Sequence, residues 1–173
     1  MAHPFHDLPT GPNPPHELTA YIEIPRGSRN KYELDKSTGL LRLDRILYAA
    51  VHYPGDYGFL PRTWGEDGDP LDVLVMTTEP TFPGCLVDVR PVGVFRMSDD
   101  KGPDEKILAV PLADPFQQEI GELDDVPRHF LDEVRHFFSI YKDLEGKKVT
   151  ALGWDGRAAA ESLVRAAMDR YSG

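Results

Sequence analysis

A single cysteine, Cys85, stands among 173 residues, so no internal disulfide can form and the bridge-stapled secreted class is excluded. Long apolar runs are also missing. Ile46 to Val51 is representative, far short of the ~20 residues of a membrane-spanning helix. Met1 to Leu18 contain neither a basic segment nor an apolar one, so no signal peptide is expected. Excess positive charge is absent: 19 Lys+Arg against 29 Asp+Glu leave a formal net charge of −10. An anionic surface repels phosphate backbones, which argues against a nucleic-acid partner held by counterion release. There is no Walker A or GxGxxG loop, no HExxH helix, and no Ser/His/Asp or Cys/His nucleophile pattern. The six histidines show no ligand spacing, and His129 and His136 read as core, surface or subunit-contact residues. What remains is an acidic, soluble, cytoplasmic protein without a membrane partner, with 40% hydrophobic residues to build one core.

Residues 1–18 are rich in Pro and Gly and read as an arm, frayed or ordered only on docking; residues 19–173 read as a single domain. Strands are expected at Tyr21–Ile24, Lys31–Leu34, Leu40–Leu47, Asp72–Met76, Leu86–Met97 and Ile107–Val110, each bounded by turn-forming residues. From Val126 the period becomes helical, through Phe130, Val134, Phe137, Phe138 and Tyr141 to Leu144, with Gly146 just beyond. A second helix is expected to start at Asp155 as N-cap and to bury Ala159, Leu163, Ala167 and Met168. Strands followed by segregated helices predict an α+β fold, its sheet closed into a small barrel.

The sharpest chemical feature is Glu66 to Val75, where Asp67, Asp69 and Asp72 crowd the mouth of an apolar strand. Gly68 permits a tight bend and Pro70 stiffens the corner between two of those carboxylates. Like charges so close repel, and a bound cation is the usual reason such crowding persists. A solvated acidic turn is the commoner fate of such a motif standing alone. Asp99, Asp100, Asp104 and Glu105 form a second cluster between two expected strands, so a site shared by both clusters becomes plausible. Hard oxygen donors without Cys/His spacing indicate Mg²⁺, with Mn²⁺ as a substitute, rather than zinc. Lys31, Arg45, Tyr53, Tyr57, Tyr141 and Lys142 could grip phosphate oxygens, provided that the fold brings them together.

These residues together resemble the soluble family I inorganic pyrophosphatases of bacterial type. Asp67-Gly68-Asp69-Pro70-Leu71-Asp72-Val73 matches the family signature DxDPxDV. Further blocks follow the family order: Tyr21 to Pro25, Lys31 to Glu33, Asp44-Arg45, Tyr53 to Gly58, Arg90 to Gly93, Asp104 with Lys106, and His136 to Glu145. The resemblance implies a five-stranded OB-like barrel with helices alongside, and hydrolysis of inorganic pyrophosphate to two phosphates with Mg²⁺. It implies metal ligation by Asp67, Asp69, Asp72, Asp99 and Asp104, and phosphate binding by Lys31, Arg45, Tyr57, Lys106, Tyr141 and Lys142. Glu23, Glu33 and Tyr53 are implied as supporting, water-orienting groups, and a homohexamer is the implied assembly. Asp100 departs from the pattern, since the family shows Glu after the residue matching Asp99. Asp69, at the centre of the signature, is the candidate to orient the attacking water or take its proton, with Tyr57 beside it. Two other classes are weighed against this one. A different metal-dependent phosphohydrolase needs an apolar cleft for an organic group, and a non-catalytic OB-like binding module needs a basic groove with stacking aromatics.

Overall fold

A computed structural model describes all of residues 1–173. Eight strands and two helices follow in the order β1 (Leu18–Ile24), β2 (Asn30–Leu34), β3 (Leu41–Ile46), β4 (Asp56–Phe59), β5 (Asp72–Val75), β6 (Leu86–Asp99), β7 (Gly102–Pro111), α1 (Arg128–Ile140), β8 (Thr150–Gly156) and α2 (Arg157–Ser172). Pairing runs from β1 through β4, β5, β7 and β6 and returns to β1, with β8 added beside β6. Only the β5–β7 pair is parallel; β2 and β3 form a separate antiparallel hairpin. The fold is α+β, mostly sheet, with both helices in the C-terminal part of the chain. Neither helix is long and apolar enough to cross a membrane.

The unbroken apolar runs in β5 and β7 follow from burial on both faces. Leu74, Leu108 and Val110 point into a core with Phe137 and Phe138 of α1. Their neighbours Val73, Val75, Ile107 and Ala109 point the opposite way, into a second core with Ala160, Val164 and Ala167 of α2. Side chains alternate along a strand, so one run serves two cores. Gly58 in β4 lies so close to β1 that a Cβ there would come within 1.8 Å of the Tyr21 carbonyl oxygen. That closeness explains a glycine inside a strand.

Several expectations need correction. Two strands, β4 and β8, lie outside the expected set. β8 occupies the ground assigned to the start of α2, whose N-cap is Gly156. Asp155 cannot cap the helix because it belongs to β8, opposite Val94, and its carboxylate pairs with Arg96. In α2 it is Ala160, Val164 and Ala167 that are buried, while Ala159, Leu163 and Met168 are partly buried against the same core. Helix α1 stops at Ile140 rather than near Leu144, and a 3₁₀ turn follows at Asp143–Glu145. Gly146 closes that turn at φ +73°, and Leu144 is exposed. The N-terminal segment is not frayed. Phe5 is only 1% exposed and its ring packs on Phe59, Trp64 and Tyr171.

Candidate active site

The face of the sheet that packs on α1 turns polar at one end. Along β7, Asp104 and Lys106 share the parity of Leu108 and Val110; along β5, Asp72 shares that of Leu74; along β6, Asp99 continues Phe95 and Met97. Period-two alternation therefore carries carboxylates and a lysine out of one core into a common opening. A register shift between Ile22 and Ile24 of β1 places Glu23 at a bulge, which switches the two isoleucines to different cores and admits Glu23 to the same opening. The result is a cavity of about 320 Å³.

All fourteen side chains singled out in the sequence line that cavity. The acidic wall holds Asp67, Asp69, Asp72, Asp99 and Asp104. Facing it are Lys31, Arg45, Lys106 and Lys142, with Tyr53, Tyr57 and Tyr141. Glu23 and Glu33 complete the set. Asp100, at the tip of the β6–β7 hairpin, is exposed and does not line the cavity, whereas Asp99 and Lys101 on either side do.

Lys106 is the buried charge at the centre. Its Nζ donates to Asp72 Oδ2 at 2.6 Å and to Asp104 Oδ1 at 2.9 Å. It also lies 5.4 Å from the Tyr57 ring centre and 5.5 Å from that of Phe138. Burial alone would lower its pKa, but the charge of Asp72, with Tyr57 and Asp104, more than offsets this and raises it well above the ordinary lysine value. Burial also pushes the Tyr57 phenol well above its usual value and that of Tyr141 to about 12, so both stay protonated as hydrogen-bond donors. Tyr53 is pushed up in the same way, and its ring packs on Tyr57 and Phe137. Lys142 is shifted down, first by burial and then by the charge of Lys106.

The signature loop is held by its own backbone. Gly65 N–H donates to the Asp69 carbonyl at 2.7 Å, Asp69 N–H to Asp67 Oδ1 at 3.0 Å, and Leu71 N–H to Thr63 Oγ1 at 3.0 Å. Gly68 sits at φ +79°, a conformation suited to glycine. On the β2–β3 hairpin Lys31 lies opposite Arg45, with Lys31 Nζ 3.5 Å from Asp44 and 3.6 Å from Glu33. Arg45 Nε is 3.0 Å from Glu145 of the turn that ends α1. Glu23 Oε2 accepts the Leu34 N–H at 2.7 Å, which ties this hairpin to β1. Burial raises the Glu23 carboxyl to about 8.

No group of three or more His, Cys, Asp or Glu side chains stands in the geometry of a formed metal site. Asp72 and Asp104 are turned onto Lys106, and Asp69 onto Lys36 at 2.8 Å. The donor set nevertheless suits a hard divalent cation: six aspartates, Asp44 among them, line one cavity, and no cysteine or histidine does. Asp67 and Asp104 are both raised above the ordinary aspartate value, first by burial and further by the carboxylates around them. Positive charge would relieve that crowding.

The inorganic pyrophosphatase family model matches residues 20–172 of this sequence. The chain belongs to the inorganic pyrophosphatase family. It is 48% identical over 172 residues to an inorganic pyrophosphatase of Haloferax volcanii, covering 99% of this chain and 97% of that protein. A relative of the same name from Methanosarcina acetivorans is 56% identical over 150 residues, 87% of this chain and 89% of its own. The crystal structure of the inorganic pyrophosphatase from Thermus thermophilus superposes with a TM-score of 0.96 at 47% identity, covering 99% of this chain and 100% of that one. A type I inorganic pyrophosphatase from Toxoplasma gondii gives 0.82 at 27% identity, over 98% of this chain and 87% of that one.

Sequence reasoning missed three lysines of the cavity: Lys36, Lys101 and Lys147. All three follow the ends of regular elements, where strand or helix period no longer marks a side chain's direction. With them the wall carries seven Lys or Arg, against nineteen in the whole chain, and eight Asp or Glu. A third of the molecule's cations therefore meet in one opening of a protein with net charge −10.

Proposed function

We propose that this cavity binds inorganic pyrophosphate and that the chain hydrolyses it to two phosphates, the activity for which its relatives are named. The observation that carries this reading is the convergence on one opening of the fourteen side chains, far apart in sequence, that the resemblance implies as site residues. Divalent ions of the Mg²⁺ class, held by Asp67, Asp69, Asp72, Asp99 and Asp104, would supply positive charge for the phosphates and lower the pKa of water. Lys31, Arg45, Lys106 and Lys142 bind phosphate oxygens, and the protonated phenols of Tyr57 and Tyr141 donate to them. Phosphoryl transfer through a loose transition state asks chiefly for positioning and charge neutralisation on the leaving phosphate, which these fixed donors provide. Asp69 orients the attacking water or accepts its proton. Glu23, Glu33 and Tyr53 hold the surrounding groups in place.

The pairing of β1 with both β4 and β6 supports reading the ring as a small five-stranded, OB-like barrel. Residues 19–173 then form a single cytoplasmic pyrophosphatase domain, with residues 1–18 as its arm. A homohexamer is the proposed assembly; exposed Leu43, Ile46 and Tyr48 of the β2–β3 region are apolar surface that subunit contacts would cover. Light scattering tests the assembly. Phosphate release from pyrophosphate, with Mg²⁺ and with excess chelator, tests the activity. Release from an aryl phosphate but not from pyrophosphate would overturn it.

A further inference from the structure

We propose that Lys36 is an exchangeable counter-ion, resting on Asp69 in the metal-free protein and turning to a substrate phosphate once a divalent cation takes that carboxylate. The inference rests on the pyrophosphate reading above and adds a residue that the signature does not contain.

Lys36 Nζ donates to Asp69 Oδ1 at 2.8 Å. The Lys36 side chain is 49% exposed and that of Asp69 57%, against 5% for Lys106 in its pairs with Asp72 and Asp104. An exposed ion pair is weak because water screens it and both side chains lose freedom in forming it. Lys106 is fixed by comparison, while Lys36 can let go. Its backbone cannot follow, because the hairpin turn is anchored on both sides. The Asp35 carboxylate accepts from Ser37 N–H at 2.9 Å, from Ser37 Oγ at 2.6 Å and from Arg42 at 3.0 Å. From the N-terminal segment, His3 Nε2 donates to the Lys36 carbonyl at 2.9 Å. A fixed base with a free ammonium head is a tethered cation. Its second neighbour, the Trp64 ring at 5.6 Å, offers a face over which the head can shift.

The chemistry then follows from charge. Asp69 Oδ1 cannot serve an ammonium and a divalent cation equally, and the arriving cation repels the ammonium beside it. The anion that enters the same cavity is the substrate, and a four-carbon stem lets Nζ reach it from an unmoved backbone. Lys36 is therefore expected to oppose metal binding and to favour substrate binding, two effects of opposite sign at one residue.

Lys36→Gln tests this. Calorimetric titration of Mg²⁺ without substrate should show affinity two- to five-fold tighter than the parent, or about that range, as removal of a weak competing pair allows. Steady-state hydrolysis at saturating Mg²⁺ should show KM for pyrophosphate raised about ten-fold, with kcat changed by less than about three-fold. Lys36→Arg should stay near the parent in both measurements. Lys101→Gln removes another cavity lysine that holds no carboxylate, and should leave Mg²⁺ affinity near the parent value. Weaker Mg²⁺ binding together with raised KM in Lys36→Gln would indicate a merely structural role and overturn the proposal. Unchanged constants, or an equal rise in Mg²⁺ affinity in Lys101→Gln, would overturn it as well. A parent protein that neither binds Mg²⁺ nor hydrolyses pyrophosphate would instead overturn the functional reading itself.

Discussion

Lys106 of β7 and Asp72 of β5 are register partners across the parallel pair, and their side chains meet at 2.6 Å above the apolar core. Asp104, two residues before Lys106 and on the same strand face, completes a carboxylate–ammonium–carboxylate bridge. The bridge links the two acidic clusters of the sequence through one buried cation. It also sets the spacing of two proposed metal ligands before any ion arrives.

Lys106→Met removes the cation and leaves two half-buried carboxylates facing each other. Breaking one partner of a buried pair typically costs about 3–5 kcal/mol. Urea unfolding in the presence of chelator should show a loss of that size, and phosphate release should collapse. A loss below about 1 kcal/mol would place the pair in the solvated class.

Asp69→Asn keeps the shape of the side chain but removes its charge and basicity. Turnover of pyrophosphate at saturating Mg²⁺ should fall by about 10²-fold or more. Stability should change little, because Asp69 is exposed and its side chain is paired only with Lys36. Turnover within a few-fold of the parent would make Asp69 a bystander.

Mg²⁺ that binds only the folded chain should stabilise it by about 2.7 kcal/mol at 100 times Kd. For a domain of this length, that is a rise in Tm of roughly 5–11 °C by differential scanning calorimetry. Sodium chloride at matched ionic strength should give much less, since screening is not coordination. Asp72→Ala and Asp104→Ala should each shrink the Mg²⁺ shift, and the double variant should be non-additive if both serve one ion cluster.

Glu23 gives a pH signature. Burial raises its folded-state pKa to about 8, against the ordinary 4.5 of the unfolded chain. Between these values the folded form holds a proton that the unfolded form has lost, so stability falls as pH rises through this window and levels off above it. Glu23→Gln keeps an oxygen acceptor for the Leu34 N–H and has nothing to titrate. Its stability relative to the parent should therefore rise from pH 5 to pH 8, by an amount on the order of a few kcal/mol, in denaturant melts with chelator. A parent and variant that track each other across that range would show Glu23 ionised in the fold.

Six of the eight strands and both helices were legible because their apolar residues carry a period, and the signature Asp67–Val73 was legible because its carboxylates are crowded within seven residues. The order of residues alone therefore shows that carboxylates crowd the mouth of one apolar strand, and which family the chain resembles. What local pattern cannot specify is which distant strand a segment meets. β4 exists because Gly58 can lie against the Tyr21 carbonyl, and β8 because it pairs with β6 while Arg96 takes Asp155 away from capping. The end of α1 was decided by a turn that keeps Tyr141 buried, brings Lys142 to the cavity and sends Glu145 to Arg45. Lys36 joined the site through a hairpin turn anchored by His3, thirty-three residues away. Each of these outcomes rests on contacts between segments far apart along the chain, whose geometry is set by backbone pairing and packing rather than by the period of either segment alone.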